Sequence, residues 1–140
     1  MNPAWLFGMA GLIPFFGLAG LATIGPEQWR MVAQVLLTQY GALIVSFVGA
    51  LHWGYAVQRE VRGGEAWARY GFSVLPALWA LLALQFTLFT SMQMLAIALI
   101  VCLIADMVFY RWSPLPAWFF RLRLILTTGG AASLLLASVL

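Results

Sequence analysis

Three ionisable side chains, His52, Asp106 and Arg123, stand inside stretches that are otherwise apolar. An ionisable group within a membrane-length apolar segment is costly, so it is found paired or at a functional site. Aspartate and arginine can form an ion pair that offsets the cost of burying either one. A neutral imidazole can donate to that carboxylate, or to a backbone carbonyl freed at a kinked helix. Such a set can hold the polar part of a small molecule, act as acid and base, or lock helices together. Tyr55, Ser73 and Tyr110 lie within a turn or two of the same level. The candidate ligand-binding residues are therefore His52, Asp106, Arg123, Tyr55, Ser73 and Tyr110.

Other chemistries lack their parts. One histidine and one cysteine, Cys102, do not make a zinc site, and bis-histidine haem would require two copies of the chain. There is no glycine-rich phosphate loop and no serine beside a base, so no catalytic residue, metal or cofactor is assigned. A continuous proton path would need a further ionisable group in the opposite half of the spans. Gln39, Gln85 and serine or threonine hydroxyls are the polar groups there.

The elements that must position the trio are transmembrane helices. Hydrophobic residues make up 64% of the 140, and charged residues only 8%. A soluble domain of this size needs a more polar surface, so lipid is the solvent. The positive balance comes from seven arginines scattered at segment ends, with no lysine. A nucleic-acid footprint would need a clustered basic face, and none is present. Read at roughly 20 apolar residues per crossing, the chain divides into spans over about 3–24, 33–58, 67–89, 93–111 and 117–140. Pro14 and Pro76 are kink sites. Thr90-Ser91-Met92-Gln93 breaks the uncharged run between the third and fourth spans, and Ser113-Pro114-Leu115-Pro116 turns the fourth into the fifth. The predicted architecture is an all-α, polytopic membrane bundle of five transmembrane helices.

Asp106 and Arg123 are equidistant from the centre of that last turn, so they fall at one depth. Arg121, two residues from Arg123, points almost oppositely on a helix and belongs to the headgroups. His52 lies at a similar level, on the small-residue side of the second span. Gly41, Ala42, Gly49 and Gly54 are the candidate helix-packing residues there, against a partner within the chain or in a second copy. Five spans put Arg59, Arg62, Arg69, Arg111, Arg121 and Arg123 on one side and Arg30 alone on the other. That asymmetry predicts the N-terminus inside and the C-terminus outside, with Arg59, Arg62 and Arg69 as solvated topology determinants.

Taken together, GLIPF at Gly11–Phe15, YGALIVSFVGALHWG at Tyr40–Gly54, SVLPAL at Ser73–Leu78 and LPAWFFRLRLILT at Leu115–Thr127 resemble a family of small bacterial inner-membrane proteins catalogued as a domain of unknown function. A mitochondrial transmembrane protein of animals is similar. The resemblance covers nearly the whole chain and its motif-bearing segments include His52 and Arg123. It implies a compact multi-span protein of the bacterial cytoplasmic (inner) membrane and carries no established activity. Where that family often has tyrosine, this chain has Phe119.

The leading expectation is a non-enzymatic membrane protein that binds or passes a small solute or lipid-like molecule at a polar nest in the cytoplasmic leaflet. The contrasting one is an accessory or assembly subunit of a larger membrane complex, with the trio purely structural. A third is an enzyme acting on a lipid or quinone headgroup. The expected partners are the bilayer and either further copies of the chain or a larger complex, with no nucleic acid.

Overall fold

A computed structural model describes residues 2–111 and 115–139, with Tyr110 described by its backbone alone. Ser113 and Pro114 of the turn predicted at Ser113–Pro116 lie outside the described residues. The chain is an all-α, polytopic membrane-spanning bundle. Its helices are α1 (Pro3–Ala10), α2 (Leu12–Ile24), α3 (Glu27–Arg59), α4 (Gly63–Ala83), α5 (Leu88–Tyr110) and α6 (Ala117–Val139). Among the described residues, four stretches are long and apolar enough to cross a membrane: Pro3–Ile24, Glu27–Arg59, Leu88–Phe109 and Ala117–Val139.

The first of these is interrupted at Gly11, one turn before the proline predicted to bend it. Pro14 has no N–H for the carbonyl of Ala10 and its ring crowds that turn, so the break falls on the N-terminal side of the proline. The Tyr40 hydroxyl donates to the Gly11 carbonyl at 2.7 Å and ties the break to α3.

The gap between the third and fourth spans sits at Leu84–Thr87, before the polar cluster that was expected to form it. Thr90, Ser91, Met92 and Gln93 instead lie in the first turns of α5. Thr87 is the extended residue that precedes the helix, and the Ser91 N–H donates to its carbonyl at 2.8 Å. The Thr87 hydroxyl donates to that of Thr90 at 3.1 Å across this first turn, and the Thr87 side chain makes no capping bond to its N–H groups. The cluster marks where a helix begins, and the two helices shift to Gly63–Ala83 and Leu88–Tyr110 accordingly.

Helix α3 is the hub, touching α2, α4, α5 and α6. At 33 residues it is about 50 Å long, and it starts at Glu27 rather than near residue 33. Its small side is used inside the chain. A methyl group added at Gly49 would come within 2.6 Å of Pro76 Cγ on α4, and one at Gly41 within 3.3 Å of Leu134 on α6. Ala42 is buried in the same seam. Gly54 does not belong to it. It is exposed, with no atom within 4 Å of the place a Cβ would take, because it lies about 200° round the helix from His52 at 100° per residue.

These two glycines respond oppositely to one methyl group. Alanine is favoured over glycine in a helix by about 1 kcal/mol, so Gly54→Ala is expected to be neutral or mildly stabilising. Gly49→Ala forces α3 and α4 apart and is expected to cost about 1–3 kcal/mol. Thermal unfolding in detergent checks this; equal effects at the two positions would contradict the assigned seam.

Candidate functional site

Helix α5 buries one side: Ser91, Met92, Leu95, Ala96, Ala98, Leu99, Cys102, Asp106 and Phe109. These recur at three- and four-residue spacing, so Asp106 is carried into the interior on the same face as the apolar core. Arg123 is delivered likewise by α6, on a face with Thr127, Gly130, Ala131 and Leu134. Helix α3 delivers His52 between Val45, Gly49 and Ala56. The structure brings all three together.

Asp106 Oδ1 lies 2.7 Å from His52 Nε2, and Arg123 Nε donates to Asp106 Oδ2 at 2.7 Å. All three side chains are buried. A carboxylate held by a guanidinium is ionised and can only accept, so Nε2 is the protonated ring nitrogen facing it. The imidazole is packed by Phe109, with ring centroids 4.8 Å apart, and meets Phe72 edge-on at 5.3 Å. One carboxylate therefore joins α3 and α6 through the helix that bears it.

A fourth charged residue belongs to the site and was expected elsewhere. Arg69 is not a solvated topology determinant: it is only 2% exposed. Its Nε donates to Glu65 Oε1 at 2.9 Å and its Nη2 to the Phe109 carbonyl at 3.2 Å. Its guanidinium lies 4.3 Å from the Tyr55 ring centre and 4.7 Å from that of Phe109. A guanidinium is weakly hydrated and stacks on aromatic faces, so these rings and the carbonyl replace water. The signal was present in spacing. Arg69, Ser73, Pro76, Ala80 and Ala83 recur at i, i+4, i+7, i+11 and i+14, the buried stripe of α4. Arg59, Arg62, Arg111 and Arg121 are exposed.

Leu51, His52, Tyr55, Arg69, Asp106, Phe109, Leu115 and Phe119 line a partly open cavity of about 150 Å³ beside His52 and Asp106; Arg123 stands behind Asp106 and is not in its wall. Tyr55 is thus in the wall, as expected. Ser73 is not: its hydroxyl donates to the Tyr70 carbonyl one turn back at 2.7 Å, which spends its proton within α4. The Tyr110 side chain lies outside the described residues. Phe119 presents a ring and no hydroxyl to the cavity. Among the described residues, no three His, Cys, Asp or Glu side chains gather so as to hold a metal ion.

Residues 1–139 match the family described as "Protein of unknown function (DUF3429)", and the chain belongs to that family. It is 35% identical over 136 residues to Transmembrane protein 69 of Xenopus tropicalis, covering 95% of this chain and 52% of that protein. The chain therefore spans about half the length of this curated relative. The expected bacterial inner-membrane location is overturned by the same finding, since the relative is an animal transmembrane protein. No solved structure matches the chain.

Breaking a buried ion pair from one side leaves an uncompensated charge. Asp106→Asn and Arg123→Gln are each expected to destabilise the detergent-solubilised protein by about 3–5 kcal/mol, with the double variant recovering much of the loss. Additive losses would contradict the pairing. Arg69→Met is expected to lower the melting temperature well beyond Arg62→Met, and equal effects would return Arg69 to the surface.

Proposed function

We propose that this chain is a non-enzymatic, five-span membrane module that takes a small solute, or the polar end of a lipid-like molecule, into the nest of His52, Asp106, Arg123, Arg69 and Tyr55. The observation that carries the reading is the cavity of about 150 Å³ left against a buried, charged cluster. Protein interiors are close-packed, with few voids larger than a water molecule. This cavity keeps room on the order of five water volumes. That suits a headgroup or a small solute. The two charged residues of the wall, Arg69 and Asp106, are paired behind it with Glu65 and Arg123, so the entering group need not carry a charge of its own.

Two features support five spans. Helix α4 has 21 residues and measures about 31 Å, enough for one crossing of a core about 30 Å thick. Its N-terminal end meets the C-terminal ends of α3 and α5 at the nest, as alternating crossings require. In this reading the N-terminus shares the side of the exposed Arg59, Arg62, Arg111 and Arg121, and Arg30 faces the other side. Arg69 and Arg123, being buried and paired, drop out of the topology count, and the bias survives at four against one. This side faces the cytoplasm or its organellar equivalent.

The alternative is an accessory subunit with a purely structural trio. It is favoured by the fact that both Asp106 oxygens already have partners within the chain. Filling the cavity separates the two. Leu115→Trp adds bulk at the rim without touching either ion pair. The expected outcome is a bound small molecule on the wild-type protein in native mass spectrometry from lipid nanodiscs, lost in Leu115→Trp at unchanged melting temperature. A wild-type protein that emerges without any bound molecule would overturn the proposal and leave the accessory reading.

A further inference from the structure

The nest has a second, larger neighbour. A groove of about 410 Å³ runs between α1, α2, α3 and α6, lined mostly by apolar side chains such as Phe7, Phe15, Ile44, Phe47 and Leu126. Along α1 and α2 it reaches from Ala4 to Phe15, about 16 Å at the helical rise. The polar residues in its wall are Arg123 and Thr127, one turn apart on α6. Each carries a buried donor with no partner, Arg123 Nη2 and Thr127 Oγ1.

Ser91 Oγ on α5 is likewise unpartnered but lies away from the groove; the Thr127 hydroxyl departs from the pattern of most helical hydroxyls in this chain. Thr23, Thr38, Ser46 and Ser133 each donate to the carbonyl four residues back, at 2.8–2.9 Å. That is how a helical hydroxyl is ordinarily satisfied in an apolar surrounding. Thr127 does not take this bond, although Arg123 stands four residues before it. A buried donor without a partner costs free energy in proportion to its lost hydration. Two such donors one turn apart on α6, on residues that line a long apolar groove, are complementary to an acceptor oxygen on a chain molecule.

Resting on the nest as a ligand site, we infer that the groove holds a long-chain amphiphile whose uncharged carbonyl oxygen accepts hydrogen bonds from Arg123 Nη2 and Thr127 Oγ1. The charge state follows from Asp106. Its carboxylate already compensates Arg123 at 2.7 Å, so a second anion at the same guanidinium would face that carboxylate in a medium of low dielectric constant. A neutral carbonyl takes the same two bonds without that repulsion. The chain lies along Phe7, Phe15, Ile44 and Phe47, where it replaces bilayer lipid at no cost in burial.

Three photoreactive probes of equal chain length test this: a diazirine-bearing fatty acid methyl ester, the free acid and the alkane, each added to the full chain in nanodiscs. The ester is expected to label groove residues saturably, and more strongly than the acid or the alkane. Thr127→Val, which removes one hydrogen bond and little volume, is expected to cut ester labelling about tenfold without lowering the melting temperature. Ala4→Trp, at an exposed position in the groove wall, is expected to cut it as well. Competition by unlabelled diacylglycerol points to an ester carbonyl and competition by a prenylated benzoquinone to a ring carbonyl; failure of both overturns the inference. So does preferential labelling by the acid, or unchanged labelling in Thr127→Val. Label found on Tyr55 or Phe109 instead overturns the groove and leaves the nest reading standing; no saturable label on any residue also overturns the groove, while the nest reading stands or falls by the native mass spectrometry of wild type and Leu115→Trp.

Discussion

The carboxylate of Asp106 is the constraint on which the rest of the interior depends. It sits on the core stripe of α5, among residues that otherwise bury methyl and phenyl groups. In that setting an ionised group persists only if every lone pair that matters has a donor. His52 and Arg123 supply donors from two other helices, at 2.7 Å each. The demand of one side chain thereby fixes the relative rotation of α3, α5 and α6. Their apolar faces alone would do this poorly, because lipid competes equally well for leucine and phenylalanine.

A second layer follows from the first. Phe109, one turn beyond Asp106 on the same stripe, offers its carbonyl to Arg69 and its ring to both Arg69 and His52. Helix α4 is thus tied to the nest by a guanidinium and tied to α3 by the contact of Gly49 with Pro76. The two ties sit about two turns apart on α4 and hold it at a fixed distance and rotation. A lock and a binding wall are compatible roles here. The pairs hold the helices, and the cavity and groove are the spaces that those held helices cannot fill.

Much of the site was legible in the sequence because lipid makes polar residues conspicuous. His52, Asp106 and Arg123 stand out against apolar neighbours, and the hairpin fixes Asp106 and Arg123 at one depth without any tertiary knowledge. Arg69 was hidden by its company: it follows Arg59, Arg62 and two glutamates in the most polar stretch of the chain, where a solvated reading is natural. Only the periodicity it shares with Ser73, Pro76 and Ala80 separates it from them. The helix break at residues 84–87 is not marked by polarity, because Thr90 and Ser91 lie within α5 rather than in the gap. Gly54 was grouped with Gly41 and Gly49 by residue type, although its angle on the helix turns it outward. The orphaned donors of Arg123 and Thr127 were beyond reach, since they depend on which bonds a side chain leaves unmade.

The central claim is that the buried polar centre faces a bound molecule as well as its own helices. A high-resolution density map of the protein in native lipid tests that most directly, at Arg123 Nη2 and Thr127 Oγ1. Continuous elongated density is expected along the groove of α1, α2, α3 and α6, ending within hydrogen-bonding distance of both atoms. A groove closed by side chains, with both donors turned to carbonyls of their own helix, would contradict it.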